Sequence, residues 1–251
     1  MFPLDRQLTL WLNALAGSSR PAFELLLFLC GPVPLAGCVA LLLGLWWTDA
    51  EGRRGGSVPL AAAAQAQPPG VRLSRRRCVA AATAVALAFV ATRVVAFASD
   101  LERPLEREAL RIPIDPARWR ELVSGMAGFG AFPSDHAALF VALAVALFAW
   151  SRRWGVWGLS AAVFLCVARV ATGLHYASDA VVGGCLGAVS SAALMSAAAR
   201  NPRPFDMVAA AFDRRPALLY PLLFVIALDF TQHFRLVFGA VFYLLPRLLG
   251  G

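Results

Sequence analysis

Apolar residues in this chain come in blocks about as long as a bilayer crossing, and no other feature limits the fold so severely. A soluble domain interleaves apolar and polar residues at helical or strand spacing, whereas a long unbroken block must be surrounded by lipid or by other such blocks. Six blocks stand at about residues 22–47, 78–98, 136–150, 156–174, 180–199 and 217–237. The third is short alone, but its helix could begin near Pro133, since proline is tolerated in a first turn. With 59% hydrophobic residues and a mean hydropathy of +0.67, the composition is too apolar for an ordinary soluble domain of 251 residues. The expected fold is all-α: a polytopic membrane bundle of about six transmembrane helices, with residues 1–251 forming one membrane-embedded domain.

The segments between the blocks give the bundle a direction. Residues 1–20, "MFPLDRQLTLWLNALAGSSR", lack the basic start and short apolar core of a cleaved signal peptide. The spacing of Leu4, Leu8, Trp11, Leu12 and Leu15 fits instead an amphipathic helix lying in the membrane interface. The chain has no lysine, so every positive side chain apart from histidine is arginine. Segment 48–77 carries six arginines, the turn 151–155 two and segment 200–216 four, and these three lie on one side of an alternating bundle. Segment 99–132 carries five, offset by six acids. The positive-inside rule then makes 48–77 a flexible cytoplasmic loop and 99–132 an extracytoplasmic one, with its own helix-like piece "LEREALR". Both termini fall outside, in a multi-pass protein of the cell (inner) membrane.

Four polar clusters share that outer face: Arg93 near the end of the second block; Arg103 and Pro104; "FPSDH" with Ser134 and His136; and "RVATGLHYASD" with Arg169, His175 and Asp179. Charged groups near lipid are costly and mark sites of function. Alternate helix ends of an antiparallel bundle can meet, so the clusters could line one pocket. Arginines with a serine hydroxyl suit a tetrahedral oxyanion such as phosphate. Of two histidines, one can attack phosphorus and the other can protonate the leaving oxygen. Asp179, four residues after His175, could accept from one imidazole nitrogen and leave the other free. Ser134 could also be a plain N-cap that aims free N–H groups at an anion. No carboxylate or histidine cluster has metal-ligand spacing, so the positive charge must come from arginine, and no metal or other cofactor is expected.

The spacing R-x5-H-x3-D, as Arg169, His175 and Asp179, together with P-S-x-H, as Pro133 to His136, resembles the type 2 phosphatidic acid phosphatase family. That family includes membrane lipid phosphatases and is related to vanadium haloperoxidases. Its third motif, S-R-x5-H-x3-D, has Ala168 here in place of the serine. Its second, P-S-G-H, has Asp135 in place of the glycine. Its first, K-x6-R-P, ends in Arg103-Pro104 here, but Ala96 stands where the lysine belongs and Arg93 is the nearest basic residue. The resemblance covers residues 93–190. It implies that His175 is the nucleophile and forms a phosphohistidine, that His136 is the general acid and that Asp179 orients His175. Arg103, Arg169 and Ser134 would hold the phosphoryl oxygens. For Arg93, phosphate binding and snorkelling to the outer interface stay open.

The activity so implied is metal-independent hydrolysis of a lipid phosphate or diphosphate on the outer membrane face, with polyprenyl (undecaprenyl) diphosphate as the first substrate to consider. Transfer of the phosphoryl group to another lipid uses the same intermediate and is an alternative. A non-catalytic anion or lipid transporter with arginines along its path is another. The partners expected are the lipid substrate and the bilayer; the scattered arginines do not suit nucleic acid. The run Arg75–Arg77 reads as a boundary meeting anionic head groups. In "DFTQHFR", Asp229 and His233 are either a local i,i+4 pair or a substrate-selecting element beside Arg235.

Overall fold

The computed structural model describes residues 3–47, 69–99, 101–124 and 130–231. Among them all regular structure is helical: α1 (Pro3–Ala16), α2 (Arg20–Leu29), α3 (Pro32–Trp47), α4 (Pro69–Phe97), α5 (Pro104–Arg107), α6 (Pro116–Ser124), α7 (Asp135–Leu147), α8 (Arg152–Ala171), α9 (Ala177–Arg200), α10 (Arg203–Arg214) and α11 (Pro216–Thr231). Proline opens many of these helices, because its fixed φ suits the first turn and its missing N–H would have no helical acceptor there. His233, Arg235 and the C-terminal segment lie outside the described residues.

Among the described residues three helices, α4, α8 and α9, are long and apolar enough to cross a membrane. The pair α2 and α3 passes the same measure together, bent by 44° at its break. The first apolar block is therefore two helices: Gly31, Pro32 and Pro34 interrupt the hydrogen-bond ladder, and prolines do this by lacking a donor. α7 and α11 are shorter apolar helices.

The centre of the bundle is α7. Of its 13 residues, 11 are buried, and its many alanines let α4, α8 and α9 approach closely. Leu35 of α3, Val85 and Phe89 of α4, and Leu139, Phe140 and Leu143 of α7 form the principal apolar cluster. The closest approach is to α9, where a Cβ on Gly183 would collide with the carbonyl oxygen of Ser134 and one on Gly187 with that of Ala138. Small residues one turn apart are what lipid-embedded helices use to bring backbones together, since lipid supplies no hydrophobic drive for helix association. The outer surface carries the large apolar groups instead, among them Phe97 of α4, Trp157 of α8, Val189 of α9 and Phe224 of α11.

α1 is a helix at the expected place, and its two faces have distinct partners. Leu4, Leu8, Trp11 and Leu15 point outward, while Asp5, Thr9 and Asn13 are buried against α8 and α9. Asn13 donates to the Ala171 carbonyl at 3.0 Å and accepts from the Arg111 amide at 2.7 Å. Asp5 accepts from the amide and the hydroxyl of Ser178.

Two segments differ from the sequence expectation. Residues 69–77, expected in a loop, form the start of α4. No breaker follows Gly70, and the arginines there find carboxylates: Arg76 grips Asp206 of α10 through two nitrogens at 2.7 Å, and Arg75 reaches Asp213 at 2.6 Å. The helix expected in "LEREALR" stops at Arg107. Glu108 turns extended, and its carboxylate takes the Arg6 guanidinium at 2.7 Å and the Tyr176 hydroxyl at 3.4 Å. Those distant partners outweigh a local helix preference.

Candidate active site

Helix ends build the site. Arg93 comes from the last turns of α4, Arg103 precedes α5, Ser134 caps α7 and His136 lies in its first turn. Arg169 closes α8, and the turn 172–176 carries His175 to the start of α9, where Asp179 sits. Gly173 makes that turn possible: its φ of +78° is left-handed, and a side chain there would run into Leu110. The loop before α7 and the first turn of α9 are joined by a backbone bond, Ser134 N–H to the Asp179 carbonyl at 3.0 Å.

His175 is only 2% exposed. Its Nδ1 lies 2.9 Å from the Ala131 carbonyl oxygen and its Nε2 lies 3.3 Å from Arg169 Nη2. A carbonyl can only accept and a guanidinium can only donate, so Nδ1 carries the proton and Nε2 keeps its lone pair. Burial, then the charges of Arg169 and Arg103, push the His175 imidazole well below its usual 6.5, so it is neutral at pH 7. The charges of Asp135 and His136 also act on it, so the two imidazoles share one electrostatic pocket.

Asp179 stands 3.7 Å from His175 Nδ1, within ion-pair range, and accepts from the Tyr176 amide at 2.8 Å. His175 precedes the helix instead of lying one turn below Asp179 on it, so the nearest acceptor for Nδ1 is the backbone of Ala131. A main-chain carbonyl 44 residues away leaves no mark in a motif, and this group was not legible in the sequence.

Arg103 is buried and donates to the Leu174 carbonyl at 3.0 Å. Burial first, then the charge of Arg169, lowers the Arg103 pKa from its ordinary value. Arg169 donates from Nη1 to the Cys30 carbonyl at 3.0 Å, at the break between α2 and α3. Its Nε is buried and meets no acceptor among the described residues. Ser134 accepts from the Ala137 amide at 3.4 Å, as an N-cap does. Arg93 pairs with Asp135, and Asp135 bonds His136. All seven residues singled out in the sequence (Arg93, Arg103, Ser134, His136, Arg169, His175 and Asp179) thus lie at one end of the bundle. Asp229 is buried near the end of α11. Among the described residues no three histidine, cysteine or carboxylate side chains gather as a metal site.

Such a site can hold an oxyanion among guanidinium groups and present a neutral imidazole nitrogen to its central atom. In a comparison with known protein families, the sequence model described as the PAP2 superfamily matches residues 78–203. No curated protein and no solved structure matches the chain.

Proposed function

This chain belongs to the PAP2 superfamily, whose members are phosphatases acting on phosphate esters, and we propose that it hydrolyses a lipid phosphate or diphosphate through a phosphohistidine. The observation that carries this reading is the state of His175: Nδ1 held by a carbonyl, Nε2 unprotonated, and a guanidinium nitrogen 3.3 Å from Nε2. The phosphoryl oxygens would replace Nε2 as the acceptor for Arg169 and satisfy its buried Nε, with Arg103 and Ser134 on the other oxygens. The Nε2 lone pair forms the P–N bond as the P–O bond to the lipid breaks, and His136 gives that oxygen its proton. Water then attacks phosphorus, yields its proton to His136, and the P–N bond breaks to release phosphate. Guanidinium groups in a water-poor pocket stabilise the charge that develops at each step.

The surroundings of the site support a lipid substrate. The site closes one end of a bundle with an apolar exterior, and α1 beside it turns leucines and a tryptophan outward. A head group would enter from the membrane plane with its chains still in lipid, and polyprenyl diphosphate remains the first candidate. In this reading α2 with α3, α4, α7, α8, α9 and α11 make six crossings. The arginine-rich segments lie in the cytoplasm and the site faces the extracytoplasmic side.

The test is phosphate release from a panel of lipid phosphates by purified protein in EDTA. Activity should persist in chelator and fall about 1,000-fold or more in His175→Ala, with a comparable or smaller loss in His136→Ala. Activity abolished by EDTA, or unchanged in His175→Ala, contradicts the mechanism. A phosphorylated lipid product in place of free phosphate would assign transfer instead of hydrolysis.

A further inference from the structure

Asp135 has no part in the steps above, and the family motif has glycine at its position. Yet it is 5% exposed and bonded on both oxygens. Oδ1 accepts from the His136 amide at 2.7 Å and faces the His136 Nδ1 at 2.8 Å. Oδ2 takes the Nη2 of Arg93, across from α4. A buried carboxylate is costly unless paired, and here each oxygen meets an N–H or a cation. The pairing keeps it ionised, and an ionised carboxylate only accepts. Nδ1 of His136 must therefore donate, which leaves Nε2 as the nitrogen that can face a substrate.

We propose that Asp135 is a positioning residue for His136: it fixes the ring and holds the imidazolium whose Nε2 proton goes to the leaving oxygen, while Arg93 holds Asp135. This role rests on the phosphohistidine reading above. As the P–O bond breaks, its electron pair stays on the leaving oxygen and the Nε2 proton moves there. His136 is left neutral, with Nδ1–H still donating to Asp135. The proton returns from the water that attacks the phosphohistidine. Arg93 thus acts through Asp135, which explains how a basic residue displaced from the usual motif position can serve the site.

Two esters separate this role from a structural one. Hexadecyl phosphate expels an alkoxide that needs a proton, whereas 4-nitrophenyl phosphate expels a stable phenolate that does not. Asp135→Asn keeps the shape and removes the charge. It should lower kcat/KM, which reports the P–O cleavage step and not the hydrolysis of the phosphohistidine common to both esters, about 100-fold on the alkyl ester and less than about 5-fold on the aryl ester. His136→Ala should show the same selectivity. Arg93→Ala should show it too, and combining Arg93→Ala with Asp135→Asn should cost little beyond Asp135→Asn alone. Equal losses on the two esters, or no loss on either, overturn the positioning role; Arg93→Ala applies the same criterion if Asp135→Asn does not fold. Failure of the underlying reading looks different, since His175→Ala would then keep both activities.

Discussion

An imidazole with a carbonyl against one nitrogen and a guanidinium against the other has little freedom over its proton, and His175 is held that way. In the unfolded chain it titrates near 6.5, and in the folded protein well below that. Between the two values only the unfolded chain binds the proton. This residue's contribution to stability is therefore present above about pH 6.5 and is lost as pH falls through that window. The same depression keeps the nucleophile competent in mild acid. The acid limb of kcat/KM should lie below 6.5, and the thermal midpoint should begin to fall below that pH. A pH–rate profile and a melting series on one preparation check both, and an acid limb above 6.5 would contradict the depressed value. At this scale the chemistry-bearing side chains were legible, because their types and spacing are written along the chain. Their partners were not: Ala131 contributes only a carbonyl, and Asp135 stands out in the sequence only as a departure from a motif.

Between helices, α9 meets α7 backbone to backbone. Gly183 and Gly187 face Ser134 and Ala138, so an added methyl at either must push α9 away from the helix that starts with His136. Gly184 lies between them, and the nearest atom to a Cβ there would be Val141 Cγ2 at 3.4 Å, an ordinary contact. Gly183→Ala and Gly187→Ala should each destabilise the detergent-solubilised protein by about 1–3 kcal/mol, while Gly184→Ala stays within about 0.5 kcal/mol. Thermal unfolding of the three variants is the measurement, and equal effects would show that α9 does not pack as described. Gly183→Ala should also lower activity more than its stability loss explains, because Ser134 carries the Asp179 contact. The apolar lengths predicted α7, α8 and α9 to within a few residues. They missed the break at Gly31 and the helical start at Pro69, and the charged piece "LEREALR" ends early at Arg107; proline chemistry or a distant ion pair overrides the local pattern at these places.

At the scale of the molecule, the candidate site and the α4–α10 arginine clamp lie at opposite ends of α4. In a membrane those ends should face opposite compartments. In a cysteine-free background, Glu102→Cys, exposed beside the site, should react with an impermeant thiol reagent on intact cells. Arg214→Cys, exposed at the end of α10, should react only after lysis. Reaction of both from one side would refute a crossing by α4, and the reverse pattern would invert the orientation.

The chain by itself determined that this is a helical protein with segments long and apolar enough to cross a membrane, and it determined which histidines, arginines and carboxylate carry the family motifs. Those properties depend on lipid as solvent and on spacing along one helix or turn, and both are local. Tertiary structure alone decided what holds the motifs together. Asp5 reaches Ser178 across 173 residues, Asn13 reaches Ala171 across 158 and Ala131 reaches His175 across 44. Each of these bonds joins a polar group to a backbone atom, and every residue has such atoms, so nothing in the sequence singles out the partner until packing brings it within reach.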